Sequence, residues 1–190
     1  STIEGACASY ESSNSWPHWT VHPGQDRICK HLGFDVAARA LKNVKGGVET
    51  NTAGVIQIEV VGTATNPPGI DWEWVGRKVV GPICREVGIP LTSTVVWVSY
   101  PASYGESATQ RLTGSQWGSY RGVLGHQHVP ENSHGDPGAI PIGDVLQAAQ
   151  TEDDMPLSTE DLGKIEAIVA KYTEQLKPLI VAGDQRPNHW

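Results

Sequence analysis

Residues 55–61 read VIQIEVV, the most strand-like stretch of the chain. Side chains alternate across a strand, so Gln57 and Glu59 share one face while Ile56, Ile58 and Val60 share the other. The pattern predicts a central strand of a sheet. A carboxylate in such a strand is costly to bury unless it is paired or wetted by a cleft. The alternative is an edge strand whose acid faces solvent.

Toward the N-terminus, residues 17–22 (PHWTVH) alternate in strand fashion, residues 23–26 (PGQD) form a turn, and residues 27–32 return as the second strand of a hairpin. Residues 1–16 are small and polar and read as a loop; residues 35–41 (DVAARAL) read as a short helix capped by Asp35. Toward the C-terminus, Trp74, Val75, Val79, Ile83 and Val87 recur at helical spacing. Pro82 bends that helix or marks an internal break, and Gly88 ends it. Residues 94–98 (TVVWV) read as a further strand, residues 100–110 as a loop, and residues 112–120 as a short connection against the core. A helix over residues 140–149 packs back on the sheet. The sum is an α/β domain, a mixed sheet flanked by helices.

A second stretch, residues 125–138 (GHQHVPENSHGDPG), carries His126, His128, His134 and Asp136 in one segment. Val123, Leu124 and Val129 suggest a strand end, which would point His126 and His128 the same way. Pro137 biases Asp136 toward an extended backbone. Imidazole nitrogens and a carboxylate on stiff backbone are what Zn²⁺ takes; a polar loop with solvated histidines is the plainer reading.

The net charge of −7 argues against a nucleic-acid partner, which needs clustered Lys and Arg. No apolar run approaches the ~20 residues of a membrane span. Cys7, Cys29 and Cys84 form no C-x-x-C pair, which excludes a zinc ribbon and leaves free thiols or one disulfide. The chain begins at Ser1 and not at Met, so a missing leader carries no weight. Residues 150–157 are acidic and linker-like. Beyond them, Leu162, Ile165, Ile168, Val169, Tyr172 and Leu176 predict an amphipathic helix over residues 158–177 that docks on the domain or self-associates, followed by a tail over residues 178–190.

The stretch GHQHVPENSHGDPG resembles the C-terminal signature of the zinc-dependent N-acetylmuramoyl-L-alanine amidases of the amidase-2 type, kin to peptidoglycan recognition proteins. Upstream, ETNTAGVIQIEVVG resembles that family's strand with its glutamate, and SWPHWTVHPGQDRICKHLGFDVAARALKN resembles the hairpin before it. The variety looks closest to lysins of phages that infect actinobacteria, and the likeness covers roughly residues 1–146, within a domain of residues 1–149. It implies a zinc cofactor, a peptidoglycan substrate and the hydrolysis of the amide between N-acetylmuramic acid and L-alanine. By position, His126 and Asp136 match two of the three zinc ligands, and His128 falls at a non-ligand place. Glu59 matches the glutamate that positions or activates the water, and His134 stands where many relatives have a catalytic lysine. Asn51 and His18 are expected to line the substrate groove. The family's first ligand, a histidine closing the first strand, belongs at or just ahead of Ser1; nothing in the spacing favours His18 or His22 as its substitute. A peptidoglycan-binding module with an incomplete metal site is the competing reading.

Overall fold

The sheet has three strands, β1 (Trp19–His22), β2 (Arg27–Lys30) and β3 (Ile58–Val60), in the order β2-β1-β3. The computed structural model describes residues 2–65, 69–151 and 166–171. β1 pairs antiparallel with β2 and parallel with β3. The expected hairpin is present, its turn a single 3₁₀ turn over Pro23–Gln25 closed by Asp26 in the left-handed region. β3 is the strand expected over residues 55–61, cut to Ile58–Val60. Contrary to the expectation it is an edge strand among the described residues, and the hairpin strand β1 is central.

The register sorts the sheet into two unlike faces. Trp19, Ile58 and Lys30 lie side by side, as do Val21, Val60 and Ile28; the intervening row is Cys29, Thr20 and Glu59. The first face joins the core, where Trp19 and Val21 pack with Trp72, Trp74, Val75, Val79, Ile83 and Val145. The helices of that core are α2 (Trp72–Val75), a π-helical turn (Gly76–Val80), α3 (Gly81–Val87) and α5 (Ile142–Gln150). The expected break is therefore real: Pro82 sits in the first turn of α3, where its missing N–H costs nothing. Gly88 ends α3 in the left-handed conformation. α5 lies so close that a Cβ on Gly76 or Gly81 would run into the backbone of Val145 or Ala149.

The opposite, polar face is covered by a helix where a loop was expected. α1 (Ile3–Ser13) is capped by the Thr2 hydroxyl, which accepts from the Gly5 N–H at 3.2 Å, and ends at Asn14 in the left-handed region. The Ser12 and Ser13 hydroxyls donate to the Ser9 carbonyl, so this serine-rich stretch satisfies its polar groups within the helix. Ile3, Cys7 and Tyr10 share the face turned to the sheet, and Ile3 is fully buried.

Two other expectations fail for one reason. Residues 35–41 are not helical and residues 94–98 form no strand. In both segments tertiary partners take the backbone groups that regular structure would use. The Ala40 N–H donates to Gln57 Oε1 and the Arg39 N–H to the Trp16 carbonyl. The Val98 N–H donates to Gln127 Oε1 and the Thr94 N–H to the Tyr120 hydroxyl. The connection over residues 112–120 contains a short helix, α4 (Gly114–Ser119), capped reciprocally by Thr113 and Gln116.

The chain divides into two units, Ser1–Glu152 and Asp153–Trp190. In the second unit, residues 166–171 are helical. The rest of the expected helix over 158–177, nearly all of the linker over 150–157 and the tail over 178–190 lie outside the described residues. No helix among the described residues is long and apolar enough to cross a membrane. The division predicts that deleting residues 153–190 leaves the unfolding of the first unit intact. Near-ultraviolet circular dichroism should place its midpoint within about 2–4 °C of the full chain, the shift that 1 kcal/mol produces at this size. A larger drop would make the second unit integral to the core.

Candidate metal centre

His126 and His128 do not sit on a strand. Residues His126–His128 form one 3₁₀ turn, which sends the two rings apart. His128 is fully buried and edge-on to Trp97, with Nδ1 accepting from the Gly125 N–H at 2.9 Å and Nε2 donating to the Val96 carbonyl at 3.1 Å. Both its nitrogens are used inside the fold. His126 instead faces Asp136, with Nδ1 3.2 Å from Oδ2. His134 stacks on His126, ring centroids 4.7 Å apart and planes 8° from parallel, and its Nδ1 lies 3.8 Å from Asp136 Oδ1.

One ligand atom each from His126, His134 and Asp136 lies within 4.8 Å of the others. Donors bound at 2.0–2.2 Å to a tetrahedral ion stand about 3.3 Å apart, so the group reaches Zn²⁺ geometry by a contraction together with a turn of the stacked His126 and His134 rings, whose lone pairs lie in nearly parallel planes. Two imidazoles and a carboxylate are also the donor chemistry that zinc selects. The side chains stay reachable: His126 is 20% exposed, Asp136 41% and His134 64%.

Neighbouring side chains hold this loop in shape. Gln127, between the two histidines, is fully buried. Its N–H donates to the Asp136 carbonyl at 2.9 Å and its Nε2 to the Gly138 carbonyl at 2.7 Å, which pins the histidine turn to the Asp-Pro-Gly turn. The Arg111 guanidinium spans the other side and donates to the carbonyls of Gly105, Gln127, Val129 and His134. Gly135 is glycine because a Cβ there would collide with Tyr104 and the Ser103 backbone.

Glu59 reaches the same place from the sheet. Burial pushes its carboxyl above the usual range and the Asp136 charge pushes it further, while His126 and a hydrogen bond from the Tyr10 hydroxyl act in the opposite sense. Burial also pushes Asp136 up, but the hydrogen bond and charge of His126, with the charge of His134, leave it lowered overall. Two carboxyl groups that feel each other are thus driven apart in proton affinity. Tyr10 was hidden in a stretch read as loop; the spacing Ile3–Cys7–Tyr10, one helical face, was the signal for it.

Two expected groove residues have other work. His18 is 1% exposed; its Nδ1 accepts from the Gln57 N–H at 3.0 Å and its Nε2 donates to the Val36 carbonyl at 2.9 Å. It is a buried histidine just ahead of β1 with no nitrogen left for a substrate. Asn51 Oδ1 accepts from Gln57 Nε2 at 3.0 Å and its Nδ2 donates to the Leu41 carbonyl at 2.9 Å, so it braces β3 from behind. His22 does not belong to the His126 cluster either.

No family model, curated protein or solved structure matches this chain when it is compared with them. The geometry must therefore stand by itself.

Arg111 gives the geometry a direct test. Lysine keeps the charge but cannot span four carbonyls. Arg111→Lys is expected to cost about 1.5–3 kcal/mol in stability and to weaken divalent-metal binding, both read by thermal unfolding with and without added zinc. The exposed Arg121→Lys should change neither. Unaltered metal binding in Arg111→Lys would mean that the loop holds its shape without this staple.

Proposed function

We propose that the chain is a zinc-dependent N-acetylmuramoyl-L-alanine amidase of the amidase-2 type, a lysin that cuts peptidoglycan between the lactyl group of N-acetylmuramic acid and L-alanine. The observation that carries this reading is the convergence of His126, His134 and Asp136 beside a half-buried Glu59 whose carboxyl is pushed above its usual range. The motif order of the sequence supports it, as does an α/β architecture in which Glu59 stands on a strand next to the histidine loop.

His126, Asp136 and His134 would hold the metal. This gives His134 a ligand's role, where the sequence likeness implied a charge in place of a lysine. Zinc held there would polarise a carbonyl and lower the pKa of a water toward ~7. Glu59 takes a proton from the attacking water and delivers it to the departing L-alanine nitrogen as the C–N bond breaks. Tyr10 holds the Glu59 carboxyl in place through its hydroxyl. Tyr100 and Tyr104 form an exposed, edge-to-face pair 5.4 Å apart, with Tyr104 against Gly135, an aromatic surface suited to a sugar ring. An open groove of about 500 Å³, lined by Thr94, Val95, Leu112, Gln116 and Tyr120, borders the same loop through the Leu112 N–H to His128 carbonyl bond.

His134→Lys separates ligand from charge. Lysine supplies the positive charge of the family's usual residue but not the imidazole. Zinc content measured after gel filtration should fall as far in His134→Lys as in His126→Ala, and release of muropeptide amines should fall with it. Retained zinc and retained cleavage in His134→Lys would return His134 to an electrostatic role. Stoichiometric zinc with muropeptide binding and no cleavage by the unaltered chain would make it a binding module.

Glu59→Gln should separate activity from stability. A carboxyl whose folded pKa is raised stabilises the fold below its unfolded pKa, and that contribution is lost as pH rises through the folded pKa. Glutamine removes the loss. In metal-free protein at neutral pH, Glu59→Gln is expected to raise Tm, by about 2–4 °C for each kcal/mol relieved, while abolishing cleavage. A lowered Tm at neutral pH would mean that the buried carboxylate is stabilised by partners and is no poised base.

A further inference from the structure

A second ligand cluster lies under α1, at the far edge of the sheet from Glu59's strand. Cys7 on α1, Cys29 on β2 and His31 just beyond β2 each offer one ligand atom, all within 4.8 Å of one another. The His31 ring faces both thiols, with Nε2 4.0 Å from Cys7 Sγ and Nδ1 3.9 Å from Cys29 Sγ. We propose that Cys7, Cys29 and His31 form a second, structural metal site for a soft divalent cation, zinc foremost, that clamps α1 to the sheet. This site is independent of the amidase reading.

The donor set argues for the metal. Two sulfurs and one imidazole select Zn²⁺ over the hard cations that prefer oxygen. Sulfurs bound at 2.3 Å to a tetrahedral ion stand about 3.8 Å apart, so the cluster needs to close by no more than about an ångström. Its surroundings are those of a built site. Thr20 Oγ1 lies 2.9 Å from His31 Nε2 and fixes the ring, as hydrogen bonds behind a ligand histidine commonly do. The Trp16 ring, 5.2 Å from His31, and the edge-on Tyr10 ring at 6.2 Å wall it off. All three ligand residues are half-buried, which leaves a way in for an ion and for a water as its fourth ligand.

A disulfide between Cys7 and Cys29 is the rival. A disulfide would join the two sulfurs but give no role to the third donor, His31, whose nitrogens lie 4.0 and 3.9 Å from them. The placement also has a consequence. Tyr10, the residue that holds Glu59, lies one helical turn beyond Cys7, so the clamp fixes the helix that carries it.

Cobalt reads this site separately from the His126 cluster, because only Cys7 and Cys29 would give sulfur-to-metal charge-transfer absorption. The full chain, reduced and freed of metal, is titrated with Co²⁺. The expected result is a near-ultraviolet charge-transfer band that saturates at one equivalent and is displaced by zinc. Cys7→Ser and Cys29→Ser should lose it, while Cys84→Ala and the double variant His126→Ala/Asp136→Asn should keep it. Should the serine variants fail to fold, the unaltered chain still decides: no band overturns the site. So does a band that survives Cys7→Ser. Recovery of Cys7 and Cys29 in one disulfide-linked peptide, with no cobalt uptake after reduction, overturns it in favour of the disulfide. Loss of amidase activity in the His126→Ala/Asp136→Asn variant bears only on the other site.

Discussion

One row of side chains running across the sheet, Cys29–Thr20–Glu59, sets the terms for the rest of the structure. It is polar, and Thr20 within it is fully buried. An unsatisfied buried polar group costs about 1–3 kcal/mol, so the row needs partners that the strands cannot supply. Thr20 finds His31, and Glu59 finds Tyr10. The adjoining positions follow the same rule, with His18 bonded to Gln57 and Val36 and Gln57 bonded to Ala40, Thr50 and Asn51. A three-stranded sheet with one apolar and one hydrogen-bonding face must be covered twice, by different chemistry. Helices α2, α3 and α5 cover the first face with hydrocarbon, and α1 covers the second with Cys7 and Tyr10.

The same substitution of side chains for regular backbone bonding shapes the histidine loop. Among the described residues the segments over 94–98 and 125–138 form no ladder with each other. Buried Gln127 bonds Val98 and Gly138, buried His128 bonds Gly125 and Val96, and Arg111 ties four carbonyls together. Irregular backbone is free to place His126, His134 and Asp136 around one point, which a flat strand of alternating side chains would not do. The buried Gln127 amide and the half-buried Arg111 guanidinium hold that placement from behind the loop.

This division explains what was legible in the sequence. The alternation of VIQIEVV announced β3 and put Glu59 and Gln57 on one face, and the hairpin, the break near Pro82, the Gly88 stop and α5 followed from local signals of the same kind. The cluster of His126, His128, His134 and Asp136 was legible from residue type and spacing, but spacing paired His126 with His128, and only the family likeness singled out His126 and Asp136. Whatever rests on distant partners was not. Residues 35–41 have helical composition, but Gln57 and Trp16 claim their backbone. Residues 94–98 are β-branched except for Trp97, but Gln127 and His128 claim their backbone. His18 looked available because nothing local reveals that Val36 and Gln57 enclose it. Arg111 and Tyr10 carry no motif, since their value lies entirely in what the fold brings to them.

The electrostatics of the centre follow from its position where the two systems meet. Glu59 arrives from the buried polar row and Asp136 from the braced loop. Each feels burial, but only Asp136 has His126 as a hydrogen-bond partner, with His134 adding its charge. Glu59 has Tyr10, a neutral donor, and faces the Asp136 charge. The loop carboxyl is therefore held as an anion while the strand carboxyl retains its proton more strongly than an ordinary glutamate. In enzymes, acids separated in this way can divide labour, one as a fixed negative charge and the other as a proton carrier. A cation among His126, His134 and Asp136 would screen the Asp136 charge from Glu59 and bring Glu59 back toward the ordinary range, since an opposite charge nearby favours the ionised form. The proposed base is thus coupled to the occupancy of the centre: a cation there would offset the Asp136 charge and loosen Glu59's hold on its proton, while burial, the larger cause, continues to raise it.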